Sequence, residues 1–250
     1  MDRPLNVVLL LAGGHGYRMH STCPKQFMEI AGEPVISYTM QTFERHPETD
    51  RIYVVCNPEW FGFVEEVKRI QLSAINTARK AGIRKFRKSF AAGQSSIDSL
   101  RNGIEGLSAE SDMENPTVLT HEAVRPLISD DIITLNLRTF RTYGNAVTAV
   151  KSHEAYMISR DGISSAGSIP REALHRAQTP LTFCLNELKE ILRKADETNN
   201  RQSQSLYTLI TEVFPEKKLY ISPGSERNFK LTLPEDVETL QALLACRKKD

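Results

Sequence analysis

Over the first 150 residues, apolar strand-like runs alternate with stretches of helical spacing. Asn6–Leu11 (NVVLLL) reads as a buried strand and runs straight into glycines at 13, 14 and 16. Val35–Arg45 has helical spacing. Arg51–Cys56 (RIYVVC) is a second strand, ended by Asn57-Pro58, and Glu59–Ile75 is helical. Phe86–Phe90 is a short strand before Ala91-Ala92-Gly93-Gln94. Ser95–Leu107 is a helix with Ser95 or Ser96 as its N-cap. Thr117–Thr120 is a buried strand, Asp130–Tyr143 a helix and Ala146–Val150 another strand. This alternation predicts an α/β fold of Rossmann-like type: a mostly parallel twisted sheet with helices on both faces. Ligands of such sheets sit beyond the carboxyl ends of the strands. Three unusual segments fall there: GGHGYR, AAGQSS and HEAVRP.

From Lys151 the pattern changes. SHEAYMISRDGISSAGSIP has polar turns and no long apolar face, and Asp161-Gly162 is a hairpin turn signal. A protruding β-arm over about 151–170 is expected, within a single domain spanning 1–250. Leu185–Asp196 is helical, and Lys218–Ile221 and Asn228–Leu233 read as strands. Thr232-Leu-Pro-Glu-Asp opens the last helix, with proline in the first turn and acids near its positive end.

Composition narrows the function classes. With 32 basic and 31 acidic residues the net charge is +1, which argues against a chain-wide nucleic-acid footprint. No apolar run approaches the ~20 residues of a membrane span. The apolar N-terminal run lacks a preceding basic region and reads as a first strand rather than a signal peptide. The four cysteines form no CxxC pair and match no zinc spacing, so reduced thiols and a cytoplasmic location are expected. The basic pairs Arg79-Lys80, Arg84-Lys85 and Arg87-Lys88 read as a solvated face.

The loop after the first strand carries the chemistry. GGHGYR is neither the dinucleotide fingerprint GxGxxG nor a Walker A loop. It still shares their physics, because glycines let backbone N–H groups approach an anion and form a nest for phosphate. Arg18 adds a planar fork that matches phosphate oxygens, and Lys25 in PKQF adds a second cation. Together they point to a polyphosphate site.

AGGHGYRM followed by PKQF resembles the signature of the polyol-phosphate cytidylyltransferases, which include the methylerythritol phosphate and ribitol phosphate enzymes. The likeness continues through GQSSIDSL (Gly93–Leu100), HEAVRP (His121–Pro126), QTP (Gln178–Pro180) with Phe183, and NFKLTLPEDV (Asn228–Val237). It implies a nucleotide-diphospho-sugar transferase type of fold and transfer of CMP from CTP to a polyol phosphate with Mg²⁺. It implies that Ala12, Gly13 and Gly14 lie against the nucleotide. Arg18 and Lys25 would hold the triphosphate and the transition state, and Lys230 the α-phosphate region. Gly93, Gln94 and Ser99 would read the cytosine edge. Arg171 and Thr179 would face the acceptor phosphate, and Glu122 would help hold Mg²⁺. The arm would join a homodimer and complete the partner's acceptor site. The attacking phosphate monoester is largely dianionic at neutral pH, with a second pKa of about 6, so no dedicated general base is required.

The chain departs from the family pattern at Glu122, where an aspartate is expected, and at Ser96, where the cytosine segment usually carries arginine. Leu181 replaces the glutamine of TPQ. SHEAYM lacks an Asp-Thr pair in the arm, and Arg201–Thr211 lacks the usual Thr-Asp-Glu run. Most changes fall on the acceptor side. Two readings follow: a transferase with a shifted acceptor, or a catalytically weak homologue that binds nucleotide or a protein partner. Val124 and Phe27 lean toward the ribitol type.

Overall fold

The computed structural model describes residues 3–14, 23–69, 83–200 and 203–247. A seven-stranded sheet organises them. β1 (Asn6–Leu11) is central and pairs in parallel with β4 (Arg51–Cys56) on one side and β6 (Thr117–Glu122) on the other. β5 (Phe86–Ala91) extends the β4 side in parallel. Beyond β6 lie β10 (His175–Cys184), antiparallel to both its neighbours, then β7 (Ala146–Lys151) and β11 (Ile221–Pro223). The order is β11-β7-β10-β6-β1-β4-β5.

Why β1 is apolar throughout follows from its place. Val7 and Leu9 face one layer, formed by α3 (Ser96–Ser108), α5 (Leu185–Glu197) and α6 (Leu206–Val213). Val8 and Leu10 face the other, formed by α1 (Val35–Arg45), α2 (Phe61–Arg69) and α4 (Asp130–Tyr143). A strand covered on both faces has no solvent side for polar residues. A third, smaller cluster packs α7 (Glu235–Arg247), through Leu240 and Leu244, against Ile30, Tyr38, Val124 and Leu231. Ile30 belongs to a tight hairpin, β2 (Glu29–Ile30) and β3 (Glu33–Pro34). Its two central residues, Ala31 and Gly32, both have positive φ, as a type I′ turn requires.

Helix ends follow their capping chemistry. Ser95 caps α3 in a reciprocal box with Asp98, and Ser129 and Ser205 cap α4 and α6. The Asp236 carboxylate accepts from the Thr232 and Leu233 amides ahead of α7.

Five elements differ from the sequence reading. The helix expected at 59–75 begins as a 3₁₀ turn at Pro58–Trp60 and continues as α2, its remainder lying outside the described residues. The strand expected at 218–221 is β11, shifted to Ile221–Pro223. Asn228–Leu233 is no strand: Phe229 and Leu231 pack in the cluster with α7 and Val124, Leu233 is exposed, and a sheet-like bond runs from the Leu231 amide to the Val124 carbonyl. β10 and α6 have no counterpart in the pattern. The arm is present as two short antiparallel strands, β8 (Tyr156–Ile158) and β9 (Gly167–Ile169), exposed along their length. Between them the Asp161 carboxylate accepts from the amides of Ile163 and Ser164, the self-bonding expected of a turn aspartate.

Candidate active site

The chain runs from β1 to β4 and β5 on one side and crosses to β6 on the other. A crevice therefore opens beyond the carboxyl ends of β1 and β6. A cavity of about 690 Å³ fills it, within the range of small-molecule sites.

Two loops form one wall. The Ala12-Gly13-Gly14 loop leaves β1 and meets the Ala92-Gly93 loop leaving β5. Both glycine 13 and glycine 93 answer to close packing. A Cβ on Gly13 would lie 2.6 Å from the Ala92 Cβ, and one on Gly93 2.3 Å from the Asp98 Cβ. A Cβ on Gly14 would meet nothing within 4 Å, and this residue lines the cavity. Ser99 holds the second loop: its hydroxyl donates to the Ser95 carbonyl and accepts from the Gly93 amide, at 2.9 and 3.0 Å. Gln94 and Ser96 line the cavity beside it.

The opposite wall is electrostatic. Glu122, the last residue of β6, projects a carboxylate held by the Arg125 Nε at 2.7 Å and by the Lys230 ammonium. Burial pushes this carboxyl up, but Arg125 and Lys230 outweigh it and hold it down at about 2. Arg125 is itself buried and donates through Nη1 to the Asn228 carbonyl at 2.8 Å. It thus joins the end of β6 to the loop that carries Lys230. The Asn228 side chain donates to the Thr179 carbonyl and to Gln178, and Gln178 reaches the Ser225 carbonyl. Lysines 25 and 230 and Arg125 face the cavity, with Glu122 the one carboxylate among its described lining residues. The wall is net cationic, which suits a polyanion.

β10 bulges between Ala177 and Leu181, and this places Gln178 and Thr179 in the cavity wall. The Thr179 hydroxyl accepts from the Glu122 amide at 3.1 Å and lies 2.9 Å from the His121 Nδ1. The His121 Nε2 faces the Arg125 carbonyl, and in the tautomer that carries its proton there, Nδ1 accepts from the Thr179 hydroxyl. His121 is fully buried, and burial, with Arg125 adding, drives it down to about 3. It is a neutral structural residue. Thr179 is thus tied to the end of β6 in addition to lining the site.

The structure brings together Ala12, Gly13, Gly14, Lys25, Gly93, Gln94, Ser99, Glu122, Thr179 and Lys230. Arg18 lies outside the described residues. Arg171 is not at the cavity. It sits in a 3₁₀ turn, Arg171–Ala173, at the foot of the arm, with its side chain 63% exposed and near Glu172. Sequence reasoning passed over Arg125, Gln26, Gln178 and Asn228. The first is spelled out in HEAVRP and the second in PKQF, but their roles depend on turns that spacing alone does not reveal. It also passed over Tyr207, which with Ser205 brings the N-terminal end of α6 into the wall.

Comparison with known proteins identifies the family. The family model for IspD, 2-C-methyl-D-erythritol 4-phosphate cytidylyltransferase, matches residues 6–246. The chain belongs to the IspD family. It is a cytidylyltransferase. A ribitol-5-phosphate cytidylyltransferase of Vibrio parahaemolyticus is 31% identical over 242 residues, covering 96% of each chain. Its counterpart in Lacticaseibacillus paracasei is 30% identical over 240 residues, 94% of this chain and 96% of that one. A 2-C-methyl-D-erythritol 4-phosphate cytidylyltransferase of Clostridium botulinum is 30% identical over 232 residues, 93% of this chain and 94% of that one. Among solved structures, a 4-diphosphocytidyl-2C-methyl-D-erythritol synthase from Anaerococcus prevotii superposes with a TM-score of 0.74 at 22% identity, covering 97% and 96% of the two chains. The superposition extends over nearly the whole chain, so the α/β fold with its mostly parallel sheet is that of the IspD structures.

Proposed function

We propose that this IspD-family chain transfers the cytidylyl group of CTP to the phosphate of a small polyol phosphate of the ribitol or methylerythritol type, releasing pyrophosphate. The observation that carries the reading is the cationic lining of the cavity, where Arg125 and Lys230 hold Glu122 and Lys25 and the glycine loop line the same space. An acceptor phosphate oxygen attacks the α-phosphorus, and the bond to the bridging oxygen of the β-phosphate breaks. The acceptor arrives as a dianion, so no side chain has to remove a proton. Consistent with this, the buried His121 is no general base. Catalysis falls to positioning and to charge placed where it develops in the transition state. In this reading Arg18 and Lys25 hold the triphosphate, Lys230 leaves Glu122 for the α-phosphate, and Arg125 keeps Glu122 in place.

The donor set fits Mg²⁺ shared with phosphates. Among the described residues no group of three or more His, Cys, Asp or Glu side chains could hold a metal by itself. One ionised carboxylate at the cavity is what Mg²⁺ takes alongside substrate phosphates and water. Bound there through Glu122, it would neutralise charge on the triphosphate. Ala12 and the Gly93–Ser99 loop form the proposed base pocket. The projecting arm, with Arg171 at its foot, supports a homodimer in which one protomer's arm reaches the other's acceptor site.

Pyrophosphate release with Mg²⁺ tests the reading, using CTP against ATP, GTP and UTP. The panel needs both ribitol 5-phosphate and 2-C-methyl-D-erythritol 4-phosphate, because relatives of both names match at nearly the same identity. Release is expected with CTP and one of the two acceptors, and Arg18→Ala should abolish it while leaving the fold intact. CTP binding without release on any acceptor would instead establish a binding protein.

A further inference from the structure

In the PKQ element the lysine has an electrostatic role, but the glutamine beside it bears no charge and is 2% exposed. Its backbone is fixed first. The Gln26 carbonyl accepts from the Ile36 amide in the first turn of α1, and the Phe27 amide donates to the Pro24 carbonyl. From this anchored turn the side chain reaches back to the glycine loop. Its Nε2 donates to the Ala12 carbonyl at 2.6 Å and to the Gly14 carbonyl at 2.9 Å. The amide has one workable orientation, since a flip would set its oxygen against two carbonyl oxygens.

We propose that Gln26 is a positioning residue: it clamps the glycine loop in the shape that receives the nucleotide phosphates. This rests on the nucleotide reading above. In a trans peptide the N–H points away from the C=O. Drawing the Ala12 carbonyl onto Gln26 therefore turns the Gly13 N–H to the other side, and the bond to the Gly14 carbonyl fixes the peptide that follows Gly14, so the plane between the two glycines is held from both sides. Two adjacent glycines would otherwise sample a wide range of φ and ψ, and that freedom would have to be given up on binding. Gln26 removes it in advance. The Oε1 of Gln26 is buried with no partner among the described residues. An apolar side chain of the same length would avoid that penalty, so what the position gains from glutamine is its two donors.

The test uses Gln26→Met, which keeps length without donors, and Gln26→Glu, which regains a donor only when protonated. Wild type and variants are compared for CTP affinity by calorimetry, for KM of CTP and of the acceptor, and for ¹⁵N order parameters of Gly13 and Gly14 in the ligand-free chain. Loss of two neutral hydrogen bonds should weaken CTP about 10- to 100-fold in Gln26→Met. Acceptor KM should stay within about twofold, and the two glycine order parameters should fall from rigid toward flexible values. For Gln26→Glu, kcat/KM relative to wild type should rise as pH is lowered from about 8 to about 6, because a carboxyl buried against two carbonyls favours its neutral form. The same ratio for Gln26→Met should be flat. Unchanged order parameters and CTP affinity in Gln26→Met, or equal losses for CTP and acceptor, would overturn the clamp. If wild type fails to bind CTP, the nucleotide reading falls, and the order parameters still decide whether Gln26 holds the loop.

Discussion

Glu122 and His121 are adjacent in sequence and opposite in electrostatic character. The carboxylate is kept ionised by Arg125 and Lys230, and the imidazole is kept neutral by burial. Both anchor the end of β6, so both make the site sensitive to acid, in different windows. The folded His121 titrates near 3 against an ordinary 6.5, so its contribution is complete above about 6.5 and is lost as pH falls toward 3. Glu122 is lowered from 4.5 to about 2, so its contribution begins to fade only below about 4.5. His46, also lowered by burial, acts in the same direction as His121. Between pH 6.5 and 5 the loss of stability therefore belongs to the histidines, at up to roughly 1.4 kcal/mol per pH unit for each proton taken up on unfolding. His121→Asn keeps an acceptor for the Thr179 hydroxyl and cannot titrate. Urea unfolding across this range should show a shallower pH slope for the variant, whatever its absolute stability. An unchanged slope would mean that His121 is not the neutral buried base of this site.

At the level of elements, what the sequence makes visible depends on whether an element's neighbours are written into its own residues. β1, β4, β6 and β7 are apolar runs bounded by glycine, proline or polar residues, and α1 and α4 lie where spacing and caps put them. β10 is different. HRAQTPLTFC mixes polar residues with a proline, and it is a strand because β6 and β7 leave a space for an antiparallel partner. Its bulge at Gln178 and Thr179 supplies part of the site, so this stretch could be matched as a motif but not read as a strand. Asn228–Leu233 errs the other way: Phe229, Leu231 and Leu233 alternate like a strand, but Phe229 and Leu231 serve the α7 cluster and Leu233 is exposed. That cluster makes α7 a brace for the site, because Leu231 adjoins Lys230 and Val124 lies between Glu122 and Arg125. Leu240 is fully buried there. Leu240→Ala should cost about 2–5 kcal/mol by calorimetric or denaturant unfolding. It should also lower kcat at temperatures where the variant is still folded. A stability loss with kcat intact would show that α7 supports the fold without holding Lys230 in place.

For the molecule as a whole, the arm has no core of its own. β8 and β9 expose Tyr156, Met157, Ile158 and Ile169, and the connection between them exposes Ile163 at 93%. A two-stranded ribbon is marginal in water by itself, and apolar side chains gathered on a projection mark a surface that is covered in use. The described body of this chain does not cover it. In the proposed dimer a second copy does, and Arg171 at the arm's foot would then serve an acceptor site across the interface. Such an arrangement separates the two substrates: the CTP wall is built within one protomer, whereas the acceptor end depends on two. The paired variant Met157→Asp with Ile163→Asp should shift sedimentation from dimer to monomer. It should raise the acceptor KM about tenfold or more and leave CTP affinity within about twofold, since a charged group at a buried apolar contact costs several kcal/mol of association. A wild-type chain that sediments as a monomer at micromolar concentration and still turns over would remove the dimer from the mechanism. Arg171→Ala would then be expected to leave the acceptor KM unchanged.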